Sequence, residues 1–127
     1  EFIELANKIN LDMPNKIIEI ITKQTGVALY GKKILVCGVS YKPNIADTRE
    51  SPSLCLIESL REVGAKVSWH DPLVKTLNGE ESVTLLSEQF DIVVLAIAHD
   101  EMNIEAISRC AKIVFDCVGK IPQAIQL

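Results

Sequence analysis

The sequence has 127 residues, of which 48% are apolar and 24% are charged, and its formal net charge is −4. These values are typical of one globular domain, and the negative charge argues against nucleic acid as a partner. The longest apolar run, Ile92–Ala98, is too short to cross a bilayer, so no membrane partner is predicted.

A helical pattern occupies residues 1–26. Its apolar side chains recur at intervals of three or four residues, at Phe2, Leu5, Ala6, Ile9, Met13, Ile17, Ile20 and Ile21. Pro14 interrupts the pattern, so the segment is either one kinked helix or two helices, the second capped by Asp12. Gly26 is expected to end it. Because Glu1 already lies inside this pattern, we expect the chain to be a piece of a longer protein.

From residue 32 onward, strand and helix patterns alternate. The predicted strands are Lys33–Val39, Lys66–His70, Asp91–Ala98 and Lys112–Cys117. The predicted helices are Pro52–Gly64, capped by Ser51, and Ile104–Cys110, while Glu80–Gln89 is either a weak helix or a loop. The third strand lacks polar alternation, as in a parallel sheet covered on both faces. The predicted fold class is therefore α/β, a doubly wound, mainly parallel Rossmann-like sheet preceded by the N-terminal helical segment.

The four cysteines form no C-x-x-C pair, and His70 and His99 are not spaced to complete a zinc site with them. No metal is therefore predicted. Cys37, Cys55 and Cys117 fall within apolar strand or helix patterns, which predicts buried, unreactive thiols. Because free thiols are typical of the cytoplasm, we predict a cytoplasmic location.

Polar residues lie at or just after the end of every predicted strand, and the carboxyl ends of parallel strands share one edge of the sheet, where ligands bind. They are Ser40, Tyr41, Lys42, His70, Asp71, His99, Asp100 and Asp116. The alternative is that these loops are polar only because they face solvent. The run His99-Asp100-Glu101 is either an acid–base cluster or, as we favour, a solvated loop in which Asp100 caps the next helix.

Two known site patterns are incomplete in the first turn. A dinucleotide-binding unit has G-x-G-x-x-G in this turn, whereas this chain has only Gly38. Asp71 lies where such a unit has its ribose-binding acid, but without the glycines it is weak evidence for an NAD site. The segment Gly38-Val39-Ser40 also lacks the second glycine of G-x-S-x-G. The sequence therefore argues against a self-contained NAD site and against a serine hydrolase.

The loop after the first strand carries two cations, Lys42 and Arg49. A lysine presents a point charge to a phosphate or a sugar hydroxyl, and an arginine can bind a phosphate through two parallel hydrogen bonds. A cationic loop that leads into a helix N-terminus is typical of an anion-binding crevice. The alternative is that Arg49 pairs with Asp47 or Glu50 and only braces the loop.

Several short motifs lie in and after this loop: Tyr41-Lys42-Pro43, Asp47-Thr48-Arg49-Glu50-Ser51-Pro52, Gly64-Ala65, Asp71-Pro72 and Ala98-His99-Asp100-Glu101. Together they resemble the C-terminal UDP-binding domain of the UDP-glucose/GDP-mannose dehydrogenase family. Residues 1–26 resemble the end of the family's central helix, which connects two Rossmann-like domains and builds the dimer. Residues 27–127 then correspond to the nucleotide-sugar-binding domain.

This resemblance implies part of an NAD-dependent enzyme, a homodimer or larger, that oxidises C6 of a UDP-sugar from alcohol to carboxylate in two steps. It also implies that the catalytic cysteine and the NAD-binding loop lie upstream of Glu1. No residue of this chain is then catalytic, and the chain is inactive alone. NAD is bound mainly by that upstream domain, and Arg49 reaches it. By the same resemblance, the substrate-binding residues are Tyr41, Lys42, Pro43, Asn44, Asp47 and Thr48, with Lys42 the principal contact.

The chain departs from the family pattern at one position. After the fourth strand the family has an arginine that contacts the substrate, whereas this chain has Val118, followed by Gly119 and Lys120. The Met13-Pro14 segment resembles the corresponding segment of bacterial enzymes that act on UDP-N-acetylhexosamines. This resemblance favours UDP-N-acetylglucosamine or UDP-N-acetylmannosamine over UDP-glucose as the substrate. The alternatives to an enzyme are a nucleotide-sugar sensor without chemistry and an assembly module that acts through Phe2–Ile21.

Overall fold

A computed structural model describes residues 15–26, 28–84, 89–121 and 124–126. Residues 15–25 form helix α1, and the other helices are α2 (Pro52–Glu62) and α3 (Ile104–Ser108). The strands are β1 (Lys33–Cys37), β2 (Lys66–His70), β3 (Thr76–Leu77), β4 (Glu80–Glu81), β5 (Ile92–Leu95), β6 (Ile113–Asp116) and β7 (Ile125–Gln126). The predicted features before residue 15, including the Asp12 cap and Pro14, lie outside the described residues.

Five of the strands form one parallel sheet in the order β2-β1-β5-β6-β7. In the register of this sheet, Ile34 of β1 lies between Val67 of β2 and Ile92 of β5. The chain moves from β1 to β2 in one direction and then crosses back to β5 on the other side of β1. The switch point between β1 and β5 is where a doubly wound sheet leaves a crevice for ligands at the carboxyl ends of its strands.

Helices cover both faces of the sheet, which confirms the predicted fold class. On one face, α1 and α2 pack on alternate strand residues such as Ile34 and Val94. On the other face, Leu35 and Val93 pack with Ile107 of α3. The central strands are buried on both sides because of this arrangement, and this accounts for their lack of polar alternation. Within the described part of the chain, no helix has the length and apolar character needed to cross a bilayer.

The helix ends agree with the predicted caps at Ser51 and Gly26 but not with the predicted cap at Asp100. Ser51 caps α2 by accepting a hydrogen bond from Ser53 N–H, with Pro52 in the first turn, as predicted. Gly64 ends this helix with φ of 92°, and Gly26 follows α1 with φ of 66°. The prediction that Asp100 caps the next helix is wrong: Asn103 caps α3, and its Oδ1 accepts from Ala106 N–H at 3.0 Å.

Two further predictions need correction, and the structure contains short strands that the sequence did not predict. The strand β1 ends at Cys37 rather than at residue 39, since Val39 N–H donates to the Asp71 carboxylate instead of to a neighbouring strand. The region predicted as a weak helix or loop begins with β4, which pairs with β3 in an antiparallel hairpin around Asn78 and Gly79. The short strand β7 was not predicted, because two residues carry no readable pattern.

Of the four thiols, Cys37 and Cys110 are buried, Cys117 is half-buried and Cys55 is exposed. Burial raises the pKa of Cys37 well above its ordinary value and raises the pKa of Cys117 to about 12. Cys110 is also buried, and its pKa is raised for the same reason. The prediction of a buried thiol is wrong for Cys55, which is exposed on α2, because its helical position points away from the Leu56 and Leu60 face.

Candidate functional site

The loop of residues 38–51 joins β1 to α2 at the carboxyl edge of the sheet, beside the switch point. We call it the β1–α2 loop. Tyr41 N–H closes it by donating to the Asp47 carbonyl O at 2.6 Å. Asn44 and Glu50 have left-handed backbones, with φ of 63° and 58°, as tight turns require. Ser53 Oγ, in the first turn of α2, donates to the Gly38 carbonyl O at 2.6 Å and fixes the end of the loop to the start.

The side chains predicted to bind the nucleotide sugar lie along this one loop. Tyr41 is 49% exposed, and Lys42 is also exposed. Among the described residues Lys42 takes part in no ion pair, so its positive charge is available to an anion. The other predicted contacts are exposed or half-buried: Pro43, Asn44, Asp47 and Thr48.

Beneath the loop lies a buried pair, Asp71 and His99, whose side chains are both 0% exposed. Asp71 Oδ2 accepts from Val39 N–H at 2.9 Å and lies 2.9 Å from His99 Nε2, while Oδ1 accepts from Leu73 N–H at 2.8 Å. His99 Nδ1 accepts from Asn44 N–H at 2.7 Å. The prediction of a solvated loop is therefore wrong for His99.

The hydrogen bonds of His99 define its tautomer. Because Asn44 N–H donates to Nδ1, the ring proton is on Nε2, which donates to the Asp71 carboxylate. Ser40 Oγ lies 3.1 Å from the same Nε2 and donates to the Lys42 carbonyl O at 3.0 Å. A Ser-His-Asp nucleophile needs the serine and the acid on opposite ring nitrogens. Here both are on Nε2 and Ser40 is fully buried, so the cluster is not a hydrolase triad.

Arg49 braces the loop, as one of the two predicted alternatives described. Its Nε and Nη2 both donate to the Asp47 carboxylate, Nη2 at 2.7 Å, and its N–H donates to Asp47 Oδ1 at 2.9 Å. These side-chain and backbone hydrogen bonds lower the pKa of Asp47 from 3.8 to about 2. The Arg49 side chain remains 87% exposed, so the brace leaves it accessible from solvent.

Asn44 links the β1–α2 loop to the turn after β5. Its Oδ1 accepts from Asp100 N–H at 2.8 Å, and its Nδ2 donates to Asp100 Oδ2 at 3.3 Å. Together with the bond from Asn44 N–H to His99, these contacts connect the two loops that flank the switch point. Both polar atoms of the Asn44 side chain are thus hydrogen-bonded to Asp100, and Asn44 helps to set the conformation of the loop.

Asp116, at the end of β6, organises the following turn. Its Oδ1 accepts from Val118 N–H at 2.8 Å and from Gly119 N–H at 2.9 Å, and its Oδ2 accepts from Ile121 N–H at 2.6 Å. The carboxylate is fully buried and its oxygens are used by backbone donors. Val118, which stands where the family pattern has an arginine, is 38% exposed at this edge.

The single glycine of the first turn serves packing between two protein loops. Gly38 has φ of 88°, and a Cβ atom added to it would lie 2.2 Å from the Ile97 carbonyl O. In a dinucleotide-binding unit the glycines of this turn instead admit a pyrophosphate. The residues at this strand end therefore do not form an NAD pyrophosphate site within the chain.

A cavity of about 530 Å³ opens at the opposite, amino edge of the sheet. Lys32, Arg109 and Lys112 are among the residues that line it. Two of its charged side chains already have structural partners, since Arg109 pairs with Glu105 and Asp91 Oδ2 accepts from Lys33 N–H. The cavity lies far from the strand ends where doubly wound sheets bind their ligands.

Comparison with known families places this geometry in a known context. Residues 35–122 match the UDP-binding domain of the UDP-glucose/GDP-mannose dehydrogenase family. The chain belongs to this family. The match includes the β1–α2 loop, the Asp71–His99 pair and Asp116, so the carboxyl edge described above is the edge of a UDP-binding domain.

Relatives show how much of the family's length this chain represents. The UDP-N-acetyl-D-mannosamine dehydrogenase of Methanococcus maripaludis is 30% identical over an alignment of 128 positions, which covers 91% of this chain and 30% of that protein. The UDP-N-acetyl-mannosamine dehydrogenase structure from Staphylococcus aureus has a TM-score of 0.71 at 27% identity, over 94% of this chain and 29% of its own. A UDP-glucose dehydrogenase structure from Pyrobaculum islandicum has a TM-score of 0.72 at 27% identity, over 94% and 30%. The chain therefore spans less than a third of these relatives.

Proposed function

We propose that this chain is the substrate-binding domain of an NAD-dependent nucleotide-sugar 6-dehydrogenase, which oxidises the C6 alcohol of a UDP-sugar to a carboxylate in two steps. The exposed Lys42, unpaired among the described residues, carries the proposal, because it lies at the switch point and within the family's UDP-binding match. Family membership supports a UDP-sugar as the ligand class. The free thiols support a cytoplasmic location.

In this proposal the chain binds and orients the substrate and makes no covalent bond with it. Lys42 Nζ attracts the diphosphate or a sugar hydroxyl. The ring of Tyr41 offers an exposed face for packing, and Arg49 extends towards a cofactor that is held mainly by a domain outside this chain. NAD, when bound, would accept the hydride in both oxidation steps. The remaining proposed contacts on the same loop are Pro43, Asn44, Asp47 and Thr48.

The proposed sugar is a UDP-N-acetylhexosamine. Relatives from Methanococcus maripaludis and Staphylococcus aureus carry names of UDP-N-acetylmannosamine dehydrogenases, which supports this class. UDP-glucose is the second candidate, because a structurally similar relative from Pyrobaculum islandicum acts on that sugar by its name.

The test is NADH formation by the complete polypeptide that contains this chain, with UDP-N-acetylmannosamine, UDP-N-acetylglucosamine, UDP-glucose and GDP-mannose as substrates. We expect about two NADH per molecule of one UDP-sugar, because alcohol-to-carboxylate oxidation releases two hydrides. If the polypeptide binds UDP but oxidises none of the four sugars, the sensor alternative replaces the enzyme.

Replacement of Lys42 by alanine tests the residue on which the proposal depends. We expect Lys42→Ala to raise KM for the UDP-sugar or to lower kcat by about tenfold or more, since a charge-assisted contact to the substrate is lost. The matched control is Lys66→Ala, which removes an exposed lysine from the amino end of β2, at the other edge of the sheet. If the two variants have the same KM and kcat, Lys42 does not contact the substrate.

A further inference from the structure

The Asp71–His99 pair contacts the β1–α2 loop on both sides of Lys42. Before the lysine, Asp71 Oδ2 accepts from Val39 N–H, and His99 Nε2 lies 3.1 Å from Ser40 Oγ. After it, His99 Nδ1 accepts from Asn44 N–H at 2.7 Å. The lysine itself is exposed, whereas both members of the pair are fully buried. One imidazole ring therefore anchors the residues two positions before and two positions after the cation.

We infer that the Asp71–His99 pair is a positioning device that sets the conformation of the β1–α2 loop and so presents Lys42 to the nucleotide sugar. Neither residue touches the substrate in this inference, which rests on the proposed function. Ser40 transmits the effect directly, because its Oγ donates to the Lys42 carbonyl O at 3.0 Å. Asn44 has a left-handed backbone, with φ of 63°, which asparagine adopts more readily than most residues, and its bond to His99 fixes this turn in place.

The charge of Asp71 is matched to its partners. Its carboxylate faces three N–H donors, from Val39, Leu73 and the His99 ring. A carboxylate accepts at both oxygens, whereas an asparagine amide has one acceptor and one donor. Asp71→Asn therefore sets an N–H group against another N–H group in either orientation of the amide. With the amide nitrogen at the Oδ2 position, the ring of His99 loses its fixed orientation, or its proton moves to Nδ1 and opposes Asn44 N–H. With the nitrogen at the Oδ1 position, Leu73 N–H loses its acceptor and the support beneath the loop is strained.

Two substitutions separate the functions of the His99 ring nitrogens. In His99→Asn the side-chain oxygen can occupy the position of Nδ1 and accept from Asn44 N–H. In His99→Gln the amide reaches the position of Nε2 and leaves Asn44 N–H without its acceptor. His70→Gln is the matched control, because His70 adjoins Asp71 in sequence but its Nδ1 lies 2.9 Å from the Val83 carbonyl O, in another loop.

The experiment measures KM for the UDP-sugar, KM for NAD, kcat and the thermal unfolding midpoint of the complete polypeptide for each variant. We expect Asp71→Asn and His99→Gln to raise KM for the UDP-sugar about tenfold while KM for NAD changes less than about twofold. His99→Asn recovers KM to within about threefold of the wild type, and His70→Gln leaves both KM values unchanged. Ser40→Ala, a small change, raises KM for the UDP-sugar about threefold and keeps the inference testable if the larger changes prevent folding.

The inference fails if the variants change the stability of the protein but not its KM for the UDP-sugar. A purely structural pair would lower the unfolding midpoint in Asp71→Asn and His99→Gln while the folded enzyme keeps the wild-type KM, and Ser40→Ala would also keep it. Such a result, in an active wild type, contradicts the inference and leaves the proposed function intact. If the wild type oxidises no UDP-sugar, the proposed function fails instead, and UDP affinity measured by calorimetry on the same variants takes the place of KM.

Discussion

Single residues determine how closely the two loops beside the switch point approach each other. Gly38 is the contact point, because its left-handed backbone and missing Cβ let the β1–α2 loop lie directly against the Ile97 carbonyl O. Gly119, at the opposite side of the same edge, has a similar φ of 80° but nothing within 4 Å of an added Cβ. A side chain at Gly38 would therefore meet both backbone strain and steric overlap, whereas a side chain at Gly119 would meet backbone strain alone.

We expect Gly38→Ala to lower the free energy of unfolding by about 3 kcal/mol, because strain and overlap add at this position. Gly119→Ala should cost only about 1 kcal/mol, from backbone strain alone. Urea unfolding followed by the fluorescence of the buried Trp69 measures both. Equal losses for the two variants would show that the contact with Ile97 is relaxed at little cost.

The place of the proposed ligand contacts in the β1–α2 loop could be predicted from the sequence, whereas the residues that hold the loop could not. Lys42 and Arg49 follow a strand and precede a helix cap, and this local order is visible in the sequence. The pairing of Asp71 with His99 joins positions 28 residues apart, and local pattern shows neither their contact nor their burial. A polar run such as His99-Asp100-Glu101 is usually solvated, which explains why that prediction was wrong for its first member.

At the scale of elements, the β1–α2 loop is stabilised by backbone closure, by the buried pair and by the Asp47–Arg49 ion pair. The first two are internal, while the ion pair lies at the surface with Arg49 largely exposed. Solvent and salt weaken such a pair, so its effect on stability should be small and sensitive to conditions. The predicted strands and helices were found in order, but some of their ends moved, as at Val39, where the Asp71 side chain accepts from the backbone N–H and β1 ends early.

The ion pair has a defined pH dependence. The pKa of Asp47 is lowered in the folded state from 3.8 to about 2. Its contribution to stability is therefore present above about pH 4 and is lost as the pH falls through 2. Asp47→Asn removes the charge but keeps an oxygen that can accept from Arg49 N–H. We expect the urea midpoints of wild type and variant to differ at pH 6 and to converge near pH 2; a constant difference would assign the effect to the loop turn instead.

At the scale of the whole molecule, the sheet has an edge for ligands and an opposite edge with no such role in our proposal. Helix α1 is joined to this domain by Ile17 and Ile21, which are 5% and 0% exposed in the same core as α2. Its neighbour Ile20 is 36% exposed on another side of the helix. The resemblance of residues 1–26 to the family's central helix predicts that this segment takes part in assembly.

We expect the complete polypeptide to sediment as a dimer or larger, because the resemblance of residues 1–26 to the family's central helix implies a helix that builds the dimer. Analytical ultracentrifugation over a wide concentration range measures the association. Ile20→Lys should weaken it, while Lys23→Ala, one turn further along at an exposed position, should not. A protein that stays monomeric at the highest concentration contradicts the assembly prediction.

The anchoring of the β1–α2 loop also fixes when the loop can form during synthesis. Lys42 leaves the ribosome long before its supports do, since Asp71 follows Val39 by 32 residues and His99 follows Ser40 by 59. Contacts at such separations form only after the intervening chain has collapsed and the strands have paired. A nascent chain that ends before His99 therefore carries the proposed binding lysine without the contacts that hold its loop. If the proposal holds, competence to bind a nucleotide sugar arises late, when β5 has been added beside β1.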